Sequence, residues 1–130
     1  MAKVLDIVSR ALRLLRVTDV NDVPAPEDMA TAIVALNAML QRWEANGLAL
    51  GWSRVAEPDD VLPLPEEAEE AVAYNLAVRL RAEYGVSLDP DVAAIAAEGL
   101  SLLRRDRIVA APIEWARHGT DYDIRTDSYV

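Results

Sequence analysis

Apolar residues recur every three or four positions over three stretches of the chain, and each of these stretches predicts an amphipathic helix. The clearest stretch runs from Pro26 to about Asn46. Its apolar positions fall on one helical face: Met29, Ile33, Leu36, Leu40 and Trp43. Asn46 and Gly47 then supply the residue types that tolerate the left-handed turn at the end of a helix. This pattern predicts a core helix with a buried tryptophan.

A first helix is predicted over residues 3–17. One of its faces is apolar: Val4, Leu5, Val8, Ala11, Leu12 and Leu15. Arg10, Arg13 and Arg16 project from another face. This arginine row is either a solvated helix face or a docking strip for an acidic neighbour, and the sequence leaves both interpretations open.

The third predicted helix begins at Glu66 and ends at Tyr84-Gly85. Four carboxylates crowd its first turn: Glu66, Glu67, Glu69 and Glu70. Negative charge is favourable at this end of the helix dipole, and no histidine is near in sequence, so a metal site is not expected. The body from Ala71 to Leu80 is apolar on nearly every side, which predicts the central helix of a bundle.

A fourth helix is predicted to begin at Pro90, with Asp89 as its cap, and to end in a basic cluster over residues 103–107. Residues 48–64 break the helical period between the second and third helices. Leu48, Leu50 and Trp52 alternate there with small or polar residues, and a turn and two prolines follow. Because proline cannot enter a central strand, we expect two short extended segments or a small hairpin.

The helical period is lost again after Pro112. Aromatic and branched residues are spaced among polar ones there, whereas a disordered tail would normally lack them. The candidate anchors for a groove, on this domain or on a partner, are Trp115, Tyr122, Ile124 and Tyr129. The prediction is an all-α protein: a four-helix bundle over residues 1–111, with a short extended or hairpin segment between helices 2 and 3, and an extended C-terminal arm over residues 112–130.

The net charge of −9 is unevenly distributed along the chain. Residues 1–18 carry +3, residues 19–98 carry −12 and residues 99–118 carry +2. Proteins that bind nucleic acid usually have a basic surplus, because neutralisation of phosphate supplies most of their affinity. Sequence-specific DNA recognition is therefore not expected.

Several kinds of chemistry lack the residues they need. The chain has no cysteine, so it can form neither a disulfide framework nor a thiolate metal site. His118 is its single histidine, and its five glycines are too dispersed for a phosphate-binding loop. We expect no enzyme activity, no cofactor and no metal. No apolar run approaches the roughly 20 residues of a membrane span, so a cytosolic, unprocessed protein with no membrane contact is expected.

Three stretches, in order, carry a family resemblance. The first stretch is residues 9–17, which include Ala11-Leu12-Arg13-Leu14-Leu15-Arg16-Val17. The second is residues 35–43, which include Leu36-Asn37-Ala38-Met39-Leu40. The third is residues 73–85, which include Asn75-Leu76-Ala77-Val78-Arg79-Leu80. Together they resemble the head-to-tail connector proteins, also called adaptor or head-completion proteins, of tailed bacteriophages. The nearest likeness is to the tail accessory, packaged-DNA stabilisation factor of short-tailed phages.

The resemblance implies a helical protein whose copies form a ring, expected to be a dodecamer, beneath the portal protein at the head–tail junction of the virion. Such a ring extends the DNA channel, retains packaged DNA and provides a docking surface for a tail protein (nozzle or stopper). DNA passes through it without sequence-specific binding. The protein would be made in the host cytoplasm and function in the virion.

Two sets of contact residues follow as expectations. In the family the C-terminal arm reaches onto the portal, which implies a portal-binding role for Trp115, Arg117, Tyr122, Ile124 and Tyr129. Contacts with a neighbouring subunit or the tail are expected at Arg10, Arg13, Arg16, Leu48, Leu50 and Trp52. A basic first helix and an acidic middle offer complementary faces for such a ring.

Two rival functions remain open from the sequence. One is a small helical regulator, similar to an antitoxin, that binds a protein partner through its C-terminal tail. The other is a helix-turn-helix DNA-binding protein that uses Arg10, Arg13 and Arg16, although the acidic total opposes it.

Overall fold

Four helices make up most of the described chain, in the predicted order. The computed structural model describes residues 2–19, 21–48, 50–108, 122–123 and 128–129. The helices are α1 (Val4–Leu14), α2 (Pro26–Ala45), α3 (Glu66–Tyr84) and α4 (Pro90–Ile108). They pack against one another around a shared apolar core, so the prediction of an all-α bundle is confirmed.

Helix α3 is the central element, as its apolar body predicts. It packs against α1, α2 and α4, and its buried residues lie on several sides: Ala68, Ala71, Val72, Ala73, Leu76, Ala77 and Leu80. Helix α4 lies close to it at Gly99, where an added Cβ atom would be 2.9 Å from the Cβ of Ala71. Glycine at this position therefore permits the close approach of the two helices.

Side-chain hydrogen bonds join α3 to α4 and to α2. The Asn75 side-chain amide donates hydrogen bonds to the carbonyl oxygens of Ala71 at 2.8 Å and Ala96 at 3.0 Å, which joins α3 to α4. At the other end of α3, the Tyr84 hydroxyl donates to Asp28 Oδ1 of α2 at 2.8 Å. Partial burial and the bond to the charged Asp28 raise the pKa of Tyr84 to about 12.

Helix α1 is shorter than the predicted range of residues 3–17, because it ends at Leu14. Arg16 adopts a left-handed conformation with φ 59°, and the Val17 N–H then donates to the Leu12 carbonyl at 3.0 Å. These features form a Schellman C-terminal motif in which an arginine occupies the position usually held by glycine. Sequence patterns miss this end, since the usual glycine signal is absent.

The connection between α2 and α3 is held by a buried asparagine. Asn37 lies on α2 with 5% exposure, and it is the single buried polar side chain in the described core. Its Nδ2 donates to the Val55 carbonyl at 2.8 Å, and its Oδ1 accepts from the Val55 N–H at 3.1 Å. The amide thus makes the pair of hydrogen bonds that a neighbouring strand would otherwise make.

The second half of this connection pairs with the N-terminus. Val61 forms an antiparallel bridge with Lys3, and the Leu62 N–H donates to the Ala2 carbonyl at 3.1 Å. The sequence predicts either two short extended segments or a small hairpin, and the structure shows extended segments. The second segment, around Val61, forms its hydrogen bonds with the N-terminus of the chain. Asp60 closes the intervening turn by accepting from the N–H groups of Ala56 and Glu57, which lowers the pKa of Asp60.

Two short strands lie near the C-terminus. Strand β1 (Tyr122–Asp123) pairs with β2 (Ser128–Tyr129) in an antiparallel ladder, with Tyr122 opposite Tyr129. The backbone of these four residues is extended, in agreement with the predicted arm, whereas the domain boundary at residues 111 and 112 stays a prediction. In the described ranges, we find no helix with the length and apolar character needed to span a bilayer.

Candidate interaction surfaces

The predicted arginine row on α1 divides into two parts. The Arg10 guanidinium lies 5.3 Å from the centre of the Tyr74 ring and 3.9 Å from Glu70 Oε1, so it is already engaged with α3. Arg13 and Arg16 are exposed. Contacts of this row with another protein stay a prediction, and the structure leaves Arg13 and Arg16 accessible for them.

The predicted contact residues after Gly47 lie largely inside the chain's own fold. Leu48 and Leu50 are buried in the hydrophobic core, with 4% and 5% exposure. Trp52 is half-buried against the same core, and its buried Nε1 atom has no hydrogen-bond partner among the described residues. Packing within the chain therefore explains Leu48 and Leu50, while a contact with another protein through this segment stays a prediction.

The predicted portal-binding arm falls mostly outside the described residues. This applies to Trp115, Arg117 and Ile124, and also to His118. Tyr122 and Tyr129 are described only as paired strand residues. The role of all five arm residues in portal binding stays a prediction.

Two of the four carboxylates in the first turn of α3 contact other residues of the chain. Glu69 Oε1 accepts a hydrogen bond from the Ala2 N–H at 3.0 Å, and Glu70 pairs with Arg10. Glu66 and Glu67 are exposed at the favourable end of the helix dipole. Within the part of the chain that the structure describes, no group of three or more potential metal ligands comes together.

An acidic groove lies between α3 and α4. Its charged rim consists of Glu67, Glu70, Glu98 and Asp106, and we refer to these residues as the acidic groove. Its volume is about 370 Å³, and its apolar floor includes Ile95 and Leu102. These two residues are 37% and 41% exposed, so they offer apolar surface to a partner within the charged rim.

An arginine groove lies between the C-terminal end of α2 and the helices α3 and α4. Its lining includes Arg42, Arg79 and Arg104, and we refer to these residues as the arginine groove. Its volume is about 280 Å³, and Val78 and Leu100 contribute apolar surface to it. Partial burial and the positive charge of Arg42 lower the pKa of Arg79, because two like charges lie close together in this groove.

Sequence reasoning missed both grooves and the structural asparagines. Each groove combines residues from elements distant in sequence, so no local spacing could reveal it. Asn37 and Asn75 both fall within the family-like stretches, yet their hydrogen-bond partners are 18 and 21 residues away in sequence. A polar residue inside an otherwise apolar helical face was the available signal for Asn37.

Comparison with known protein families gives a match over nearly the whole chain. Residues 1–124 match the family of the P22 tail accessory factor. The chain belongs to this family. The match covers all four helices and continues past the paired strand β1, so it includes almost the whole sequence. A search of curated proteins finds no significant match.

Family membership assigns the protein a structural role in the tail or head–tail region of a bacteriophage. It also implies a location in the virion and association with other phage head or tail proteins. The suspected resemblance to the tail accessory factor of short-tailed phages is thereby confirmed. Which surfaces of the chain make these contacts stays a prediction.

Proposed function

We propose that the chain is an adaptor of the head–tail junction whose copies form a ring beneath the portal. The ring extends the DNA channel, retains packaged DNA and provides the surface on which a tail protein docks. Twelve copies are expected in the virion. The observation that carries this proposal is the family match over residues 1–124, which spans the complete helical bundle.

Charge on the described surface supports passage of DNA without capture. Residues 19–98 carry a net charge of −12, and exposed carboxylates such as Glu66 and Glu67 contribute to it. Acidic side chains on a channel wall repel phosphate, so DNA can slide past them. Reversing the charge of Glu66, an exposed carboxylate that does not line the acidic groove, tests this point, since unchanged DNA ejection from such particles would contradict it.

The C-terminal arm is proposed to fasten the ring to the portal. Residues 112–130 contain three aromatic residues, Trp115, Tyr122 and Tyr129, which provide large apolar contact areas. A chain truncated after residue 111 is expected to keep the helical circular-dichroism spectrum and to lose portal binding. Binding of the truncated chain at full affinity would contradict the role of the arm.

The decisive experiment combines the purified full chain with its cognate portal protein and images the product by electron microscopy. The expected result is a ring of adaptor density on one face of the portal, with twelvefold symmetry. Native mass spectrometry of the same mixture gives the copy number. A chain that stays monomeric with and without portal, or one that forms a tight dimer with a single soluble partner, would contradict the adaptor role.

A further inference from the structure

Helix α4 presents opposite charges on its two sides. Its buried stripe faces the core and contains Val92, Ala96 and Leu103. With about 100° between successive residues, the α4 residues of the acidic groove lie roughly 90° to one side of this stripe. Those of the arginine groove, Leu100 and Arg104, lie roughly 90° to the other side. One chain therefore carries two complementary charged surfaces that face in different directions.

Both grooves have the composition of a protein interface. The acidic groove surrounds the exposed Ile95 and Leu102 with carboxylates. The arginine groove surrounds the half-buried Val78 and Leu100 with guanidinium groups. An apolar centre within a charged rim is the usual arrangement at protein–protein contacts, where arginine is also enriched.

The arginine groove lacks an acidic partner within the described chain. The one ion pair found among the described residues joins Arg10 to Glu70 of the acidic groove and involves none of the arginine-groove residues. Arg42, Arg79 and Arg104 thus have no carboxylate within 4.0 Å in that part of the chain. A carboxylate placed between them would relieve their mutual repulsion and could accept paired hydrogen bonds from a guanidinium group.

We propose that the arginine groove of one copy binds the acidic groove of the next copy. The inference rests on the proposed ring and specifies the contact that builds it. Because the two surfaces differ, the contact is head-to-tail, and repetition of one such contact closes a ring when its rotation allows. A second copy is favoured over nucleic acid because the chain carries the complementary surface itself and has a net charge of −9.

Charge reversal tests the contact through two variants of the full chain. The first is Arg79→Glu with Arg104→Glu, and the second is Glu67→Lys with Glu98→Lys and Asp106→Lys; all five positions are exposed. Each variant alone should require at least about a tenfold higher concentration to assemble in the presence of the cognate portal. Native mass spectrometry and electron microscopy provide the readout.

An equimolar mixture of the two variants should restore assembly. The first variant has two acidic surfaces and the second has two basic surfaces, so they can alternate around a ring. A general loss of folding or solubility cannot produce such rescue. Circular dichroism checks the fold of each variant. If the variant Arg79→Glu with Arg104→Glu is unfolded, the single change Arg104→Glu at an exposed position replaces it.

A matched control separates this contact from the effect of net charge. Arg54 and Arg81 are exposed and lie outside both grooves. The variant Arg54→Glu with Arg81→Glu has the same charge change as the first variant and should assemble like the wild type. Increasing salt should weaken wild-type assembly, because the contact is partly ionic.

The outcomes distinguish this inference from the proposed function. Wild-type rings together with unaffected groove variants would overturn the head-to-tail contact and leave the adaptor role intact. Wild-type protein that forms no ring even with portal would overturn both. Arginine-groove variants that assemble normally and lose DNA binding would also overturn the contact, because they would assign the groove to nucleic acid.

Discussion

Asn37 and Asn75 both lie on helices and both use the side-chain amide to bind backbone groups, but they satisfy backbone groups of different kinds. Asn37 pairs with the N–H and the carbonyl of Val55, which lies in an irregular connection and is buried. Asn75 donates to the carbonyls of Ala71 and Ala96, which lie inside helices. Helical carbonyls already accept a hydrogen bond from four residues later.

The difference shows how two parts of the same core are held. The contact between α3 and α4 is supported along its length by side-chain packing, including the close approach of Gly99 to Ala71. The described residues of the connection between α2 and α3 contain no helix, and besides buried side chains such as Leu48 and Leu50 the connection depends on a few specific hydrogen bonds. Loss of one polar side chain should therefore affect the connection more than the helix pair.

The largest effect is expected for Asn37→Leu. Leucine has a similar volume but cannot bond to Val55, so one buried donor and one buried acceptor lose their partner. The free energy of unfolding should fall by about 3 kcal/mol, since each unsatisfied buried group costs roughly 1–3 kcal/mol. Urea denaturation measures this loss. A loss no greater than that of Asn75→Leu would contradict the comparison.

Gly99→Val tests the packing of the helix pair. The added side chain meets Ala71 Cβ at a distance shorter than van der Waals contact, which should destabilise the protein by about 2 kcal/mol. In a double-mutant cycle with Ala71→Gly, removal of that Cβ should recover about 1 kcal/mol of the loss. Strict additivity of the two changes would show that the helices do not meet at this point.

Asn75→Leu should lower the free energy of unfolding by a smaller amount, about 1 kcal/mol. The carbonyl groups of Ala71 and Ala96 lose the Asn75 amide but keep their hydrogen bonds within the helices. Thermal unfolding of this variant beside Asn37→Leu gives the direct comparison. A clearly larger loss for Asn75→Leu would mean that the helix pair depends on its polar contact more than on its packing.

Tyr84→Phe should have the smallest effect, a loss of about 0.5 kcal/mol at neutral pH, because it removes one half-exposed hydrogen bond. The pKa of Tyr84 is raised to about 12 in the folded chain, above the ordinary value of about 10. Its contribution is therefore fully present below about pH 10 and is lost as pH rises through about 12.

The pH dependence of the free energy of unfolding tests the contact between Tyr84 and Asp28. Between pH 10 and 12, the wild-type protein should lose more stability than the Tyr84→Phe variant, because the Tyr84 phenol ionises in the unfolded chain while partial burial and Asp28 keep it neutral in the folded chain. Parallel stability curves over this range would show that neither partial burial nor the bond to Asp28 raises the pKa of Tyr84.

Much of the helical architecture could be predicted from the sequence. Apolar periodicity, Pro26, Gly47, Glu66 and Pro90 mark where helices begin and end, since these are local properties of the chain. The all-round apolar body of α3 predicts its central position, and the structure confirms it. The end of α1 was missed because Arg16 occupies a left-handed position without the usual glycine.

The candidate surfaces were harder to predict. The alternation of Leu48 and Leu50 indicates an extended segment, but it cannot show whether the side chains face a partner or their own core. The structure buries both in the core. The arginine row of α1 was visible in the sequence, whereas the stacking of Arg10 on Tyr74 depends on how α1 packs against α3.

The sequence by itself therefore determined the four helices, the order of the elements and the family. Tertiary structure alone decided the pairing of Val61 with Lys3, the role of Asn37 and the opposite charges on the two sides of α4. The physical reason is the range of the interactions. Helix periodicity and capping act over one or two turns, while grooves and buried hydrogen bonds require segments distant in sequence to pack together.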